Sequence, residues 1–212
     1  CYPKATKSAE HTIEACSEFA GTQSVKSFRS DCAQELRAAA REKGWVHPTG
    51  TPGEPQTNAL AENMVRQVKQ GGKKFMSQMG GSKAWWKFAT PAWCFSDLTA
   101  EPDPEVHSKE VCDLGSSYKR RHGVDSNHQD IPHGALVDYM PTPNPTTEPG
   151  GFDKKTRPGL LVGYHLQPGQ LFKGEYIVVD FEALRLNPDA APHQCRIHTV
   201  RHLFFKCFLY YP

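Results

Sequence analysis

The 212-residue sequence has no apolar run approaching the roughly 20 residues that a membrane-spanning helix needs, which excludes a helical membrane protein. None of its seven cysteines, at 1, 16, 32, 94, 112, 195 and 207, forms a CxxC pair. An odd number at such wide intervals argues against a disulfide framework, so the thiols are expected to be reduced. There is no charged n-region followed by an apolar stretch and a small-residue cleavage site, so nothing directs secretion, and the expected compartment is the nucleus or the cytoplasm. No internal repeat is present, and no low-complexity tract beyond Pro-rich breaks. Two local shortages matter more. No acidic residue occurs from Asn63 to Ser96, and the only acids before Asp31 are Glu10, Glu14 and Glu18.

The remaining composition, 38% hydrophobic and 23% charged with a formal net charge of +2, is that of a soluble globular protein with room for one medium core and one small one. The chain opens on Cys1 within CYPKAT, which reads as the end of a strand, so it is expected to begin partway through a folding unit.

In SAEHTIEACSEFA, Ile13, Cys16 and Phe19 recur about one helical turn apart, Ser8 stands near the N-cap and Gly21 stops the helix. SVKSF alternates as a short strand and leads into Arg29, Ser30 and Asp31. Helix formers fill Gln34 to Lys43, with Gly44 as a left-handed C-cap. Trp45, Val46 and His47 make a brief strand, and PTGTPGEPQT is a surface loop. A longer helix from near Asn58 carries Leu60, Ala61, Met64, Val65 and Val68 on one side, and Glu62, Arg66, Lys69 and Lys73 on the other. KAWWKFATPAWCF reads as a helix kinked or ended near Pro91. Residues 98–132 are polar and read as a linker. From 133 to 212, short β-branched and aromatic runs between Pro-Gly and Asn-Pro turns predict a small antiparallel sheet or barrel.

Asp31 past a strand and Glu62 inside a later helix are suitably placed to share a divalent metal. Two metal ions about 4 Å apart accelerate phosphodiester hydrolysis and transesterification, and carboxylates are their hard ligands. Such a site needs at least three acids from separate elements. On their own, an Asp after a strand also serves as a turn residue and a Glu on a polar helix face as a solvated one.

The pieces YPKATKSAE, SDCAQEL and TGTPGEPQTNALAE, with Arg66, resemble in order and register the integrase core of copia-type retrotransposons, within the ribonuclease H-like superfamily. Ser30, Asp31, Thr51, Pro52, Pro55, Gln56, Asn58, Ala61, Glu62 and Arg66 carry the match. IPHGALVDYM and TRPGLLVGYHL, with Gly163 and Tyr164, resemble the small β-rich segment that follows that core in the polyprotein. The resemblance implies an α/β chain, with the C-terminal part of an integrase core over 1–97, the polar linker over 98–132, and a small, mostly-β, barrel-like domain over 133–212. It implies metal-dependent DNA integration, with Asp31 and Glu62 as the second and third ligands of an Asp-Asp-Glu triad holding two Mg²⁺ or Mn²⁺ ions. Its partners would be DNA, as element ends and target, and further copies of itself when complete.

The chain departs from the family pattern in several places. Cys32 replaces Asn, Ala59 and Asn63 replace Gly and Arg, and the interval between the acids is shortened. The first Asp should lie on an upstream strand. Glu10, Glu14 and Glu18, four residues apart on one helix, cannot replace it, so the isolated chain is expected to be inactive. A non-catalytic or domesticated nucleic-acid-binding module with the same fold is the competing expectation.

Arg66, Lys69, Lys73, Lys74, Lys83 and Lys87, in the acid-free stretch, make the stripe expected of phosphate binding, with Asn58 beside it. The same stripe also suits a solvated helix face. Gly71-Gly72 and Gly80-Gly81 either loosen the backbone near DNA or end helices. Lys119-Arg120-Arg121-His122 suits phosphate contact or nuclear import, and Trp85, Trp86 and Trp93 read as core. His193, Cys195, His198 and His202 have side chains suited to zinc, with Cys207 as a spare, but at no common closed-site spacing.

Overall fold

The structure is a computed structural model that describes residues 1–31, 33–50, 59–141 and 155–205. The chain divides into two compact units, one of residues 1–70 with 166–171, the other of residues 71–165 with 172–212. As a compact unit, then, the first ends at 70 rather than near 97, and the division falls inside a helix.

In the first unit, helix α1 (Ala9–Ala20) starts where Ser8 Oγ accepts from His11 N and stops at Gly21. Helix α2 (Gln34–Lys43) ends on Gly44, whose left-handed conformation lets its N–H reach the last carbonyls. On either side of α2, isolated parallel bridges join Ser27 to Val46 and Ser30 to Thr49. Bridged segment, helix and bridged segment thus follow one another, with α2 as the crossover that parallel pairing requires. Gly21, at φ 58°, also meets Gly169, whose N–H donates to Glu18 O at 2.7 Å. A Cβ at Gly21 would lie 2.6 Å from Gly169 N, so both its backbone angle and its lack of a side chain are required.

Helix α3 (Ala59–Met79) spans the division between the units. Gly71 and Gly72 neither loosen nor end it: both are buried in its interior. There a Cβ on Gly71 would overlap the Trp93 indole, and one on Gly72 would lie 2.6 Å from Thr90 Oγ1. The pair is therefore a close-packing surface for helix α4 (Trp86–Thr99), which follows a 3-10 turn at Lys83–Trp85. Helix α4 continues through Pro91 rather than ending there, because its buried face of Ala89, Ala92 and Phe95 holds it to the core on both sides of the proline. Gly80, at φ 69°, does end α3.

Two short helices, α5 (Lys109–Asp113) and α6 (Ser117–His122), occur within the polar stretch read as a linker. Tyr118 on α6 is buried, and its hydroxyl accepts from Phe172 N at 3.2 Å, so part of this stretch belongs to the core.

Among its described residues the second unit also holds a five-stranded sheet of β1 (Leu136–Tyr139), β2 (Arg157–Gln167), β3 (Leu171–Asp180), β4 (Ile197–Val200) and β5 (Leu203–Phe204), in the order β4-β3-β2-β1-β5. β1 pairs antiparallel with β2 and with β5, and β3 with β4; Leu136 stands opposite Leu160, Asp138 opposite Phe204 and Tyr176 opposite Val200. Helix α7 (Phe181–Leu186) follows β3. β4 and β5 are opposite edges of the sheet, yet only Arg201 and His202 separate them. Three Cα steps reach at most about 11 Å, whereas a flat five-stranded sheet is about 19 Å wide, so this sheet must curl. Trp85, Phe95, Tyr139, Leu161, Val162, Val178 and Val179 are fully buried, and Trp85 Nε1 donates to Ala190 O at 3.0 Å. Among the described residues, no helix is long and apolar enough to cross a membrane.

His133 is 4% exposed and stacks on Phe75 with centroids 5.0 Å apart. Burial pushes its pKa down to about 4, so the folded protein holds the ring neutral. Its contribution to stability is complete above the unfolded value near 6.5 and is lost as pH falls toward 4, at about 1.4 kcal/mol per pH unit. Urea midpoints of the wild type should therefore fall between pH 7 and pH 4.5 more steeply than those of His133→Phe; equal slopes would contradict the assignment. Gly71→Ala should cost about 1–3 kcal/mol through the overlap with Trp93, and an unchanged urea midpoint would show that α3 and α4 do not approach so closely.

Candidate metal and nucleic-acid site

Ligands of open sheets containing parallel strands gather outside the carboxyl ends of the strands. Asp31 stands at such an end. Val46 N donates to Lys26 O at 3.3 Å, Phe28 N to Val46 O at 2.8 Å, and Gly50 N to Ser30 O at 3.1 Å, so the two segments stay paired up to the residue before Asp31. The Asp31 side chain is exposed, and Oδ1 accepts from Ala33 N at 3.1 Å, turning the chain into α2. Ser30 is buried, with Oγ 2.7 Å from His47 Nε2.

Glu62 lies exposed in the first turn of α3, where the helix dipole favours a carboxylate. Arg66 donates from Nη2 to Asn63 Oδ1 at 2.6 Å, which directs its guanidinium along the helix. Lys69, Lys73 and Lys74 are exposed. Asn58, with Thr51, Pro52, Pro55 and Gln56, lies outside the described residues. Asp31 thus follows directly on the second parallel bridge, and Glu62 lies in the first turn of α3.

Among the described residues, no three His, Cys, Asp or Glu side chains are grouped to hold a metal ion. The donors themselves suit a hard cation: magnesium is commonly held by one or two carboxylates with waters and substrate phosphates completing the shell. Asp31 and Glu62 are an exposed pair of that type. Of the upstream acids, Glu14 and Glu18 are committed elsewhere, since Lys4 Nζ lies 3.0 Å from Glu14 and 3.2 Å from Glu18.

Among the described residues, the histidines and cysteine considered for zinc form no group of three that could hold a metal ion. His193 lies in the 3-10 turn Pro192–Gln194, and Cys195 follows it with its thiol pushed up by burial and, secondarily, by Asp180. His198, on β4, packs on Tyr139 at 5.1 Å and is pushed down by burial. Cys207 lies outside the described residues. The Lys119–His122 cluster forms the end of α6, where helix carbonyls favour cations; Lys119 pairs with Asp125 at 3.0 Å, and Arg120 donates to Ser117 Oγ at 2.6 Å. Of the tryptophans read as core, Trp85 is fully buried, whereas Trp86 is 49% exposed.

No family model matches the chain, and no curated protein matches it.

That His193, Cys195 and His198 form no metal-holding group among the described residues sets an expectation for metal content. Purified protein analysed by mass spectrometry should carry far less than one equivalent of zinc, and a stoichiometric ion resistant to dialysis would contradict this.

Proposed function

We propose that this chain is part of a retroelement integrase of the copia type, the C-terminal part of a ribonuclease H-like core followed by a barrel-like unit, which acts on DNA by metal-dependent polynucleotidyl transfer. The observation that carries the reading is Asp31 at the carboxyl end of two segments joined by isolated parallel bridges across α2, followed by Glu62 in the first turn of α3. The curl forced on the second unit's sheet by the two-residue link between its edge strands accords with the barrel-like part.

Asp31 and Glu62 would hold Mg²⁺ or Mn²⁺, which in such enzymes activates an attacking oxygen and stabilises the leaving one. The chain's own contribution is to present the two carboxylates at a strand end and a helix start, and to set Arg66, Lys69, Lys73 and Lys74 along α3 against the phosphates. A third carboxylate has a natural place. Lys26, Phe28 and Ser30 turn their backbone groups toward residues 46–50, so by strand geometry Val25 and Ser27 face the other way. Both line a cavity of about 670 Å³ with Tyr2, Phe19, Phe28 and Trp45. A further strand laid along that edge in parallel would end beside Asp31.

A second reading, a nucleic-acid-binding or assembly module that keeps the fold without the chemistry, is favoured by the engagement of Glu14 and Glu18 with Lys4, which leaves neither as a substitute acid. The first reading, and the nucleic-acid-binding form of the second, require DNA binding.

For a duplex followed by fluorescence anisotropy, binding should weaken steeply with salt. Lys69→Ala and Lys73→Ala should each reduce the log–log salt slope by about 1 and weaken binding to unrelated sequences alike. Binding that is insensitive to salt, or unaltered by both substitutions, would remove the nucleic-acid reading.

A further inference from the structure

Ser30 and His47 are 17 residues apart in sequence, on the two parallel segments, and their side chains meet beneath Asp31. Ser30 Oγ donates to the Asp31 carbonyl oxygen at 3.0 Å, and the same hydroxyl oxygen lies 2.7 Å from His47 Nε2. A hydroxyl has one proton, and a carbonyl oxygen can only accept. Since the Ser30 proton is used on Asp31, His47 must be the donor in the other bond. The tautomer is thereby fixed with hydrogen on Nε2. The imidazole is held in place by stacking on Phe28, with centroids 5.5 Å apart and planes 16° from parallel, and the Phe28 ring also meets Trp45 at 5.9 Å in an edge contact.

The Asp31 backbone is thus fixed at its carbonyl by the chain His47 Nε2–H to Ser30 Oγ–H to Asp31 O, while its carboxylate is fixed at Oδ1 by Ala33 N. We infer that His47 is a positioning residue for the Asp31 carboxylate, acting through Ser30, with its ring orientation set by Phe28. What this positioning is for rests on the proposed function, but the hydrogen-bond chain stands or falls on its own geometry. His47 touches neither Asp31's carboxylate nor any substrate; its effect is to hold steady the strand end that carries the acid.

Three substitutions separate the donor from the ring. His47→Phe keeps a ring to stack on Phe28 and removes the donor, Ser30→Ala removes the intermediate hydroxyl, and His47→Gln loses the ring but places an amide N–H near the position of Nε2. Two measurements are made on each by NMR of the whole chain: amide exchange at Ala33, whose N–H is bound to Asp31 Oδ1, and line broadening of the Asp31 and Ala33 amides by Mn²⁺. Long-range proton–nitrogen spectra of the wild type should show hydrogen on His47 Nε2. Ala33 exchange should quicken about five- to tenfold in His47→Phe and Ser30→Ala, the loss of roughly one hydrogen bond, and should return toward the wild-type rate in His47→Gln. Exchange at Phe28, whose N–H is bound to Val46 O, should stay unchanged and so report that the fold is intact. An Nδ1–H tautomer in the wild type, or Ala33 exchange equal to the wild type in a folded His47→Phe, would overturn the positioning role. Mn²⁺ should broaden the wild-type amides and leave those of Asp31→Asn sharp. If Mn²⁺ broadens neither while the exchange pattern holds, the metal-ligand reading of Asp31 falls and the positioning of its carboxylate stands.

Discussion

The two parallel bridges from Ser27 to Val46 and from Ser30 to Thr49 are the constraint on which the placement of Asp31 in the first unit depends. They set two short segments side by side with their carboxyl ends at the same level, and α2 supplies the crossover between them. Asp31 follows directly from that end, and His47 is brought beneath it by the same pairing. Without the bridges, neither the exposed acid nor the buried hydroxyl under it has a defined place. The pairing is brief, so side chains add to it: Phe28 stacks on His47 and meets Trp45, and Ser30 Oγ links to His47 Nε2.

The second unit is held by different means. Here close packing of aromatic and β-branched side chains around a curled sheet does most of the stabilising, and glycines are used where the backbone must be approached closely. A Cβ on Gly159 would overlap Val178, and one on Gly134, at φ 80°, would lie 2.7 Å from the Met79 Cα. The latter contact sets the turn at Pro132–Gly134 against the end of α3, and it is in this turn that His133 is buried without charge. The polar network on the strands is peripheral by comparison. Glu175 accepts from His165 and Arg201, which hold its carboxyl below the usual range, but all three are near solvent and contribute little to stability.

Much of this was legible in the sequence where local physics decides. Ser8 as N-cap, Gly44 as left-handed C-cap and the strand–helix–strand order around α2 follow from propensity and capping alone. So do the runs that became β1 to β5, although their order in the sheet does not. Reading failed where a contact across sequence decides. Pro91 breaks the hydrogen-bond ladder locally, yet α4 continues because its alanine face is buried on both sides. Gly71-Gly72 carries the composition of a hinge but serves as a packing surface for Trp93 and Thr90, and the division between the units falls inside α3, whose periodicity is uninterrupted. Of the proposed site, Asp31 and Glu62 are read from their motif and from the segments that carry them. His47 is not, because nothing in its local sequence signals a hydrogen bond to a residue 17 positions earlier.

The proposal of metal-dependent chemistry on DNA rests on Asp31 and Glu62 together, one directly after the second parallel bridge and one in the first turn of α3. Its most direct test is strand transfer by the protein encoded by the full reading frame that contains this chain, assayed with Mg²⁺ or Mn²⁺. Asp31→Asn and Glu62→Gln should each abolish the reaction while DNA binding persists. Strand transfer retained in either variant would contradict the proposal.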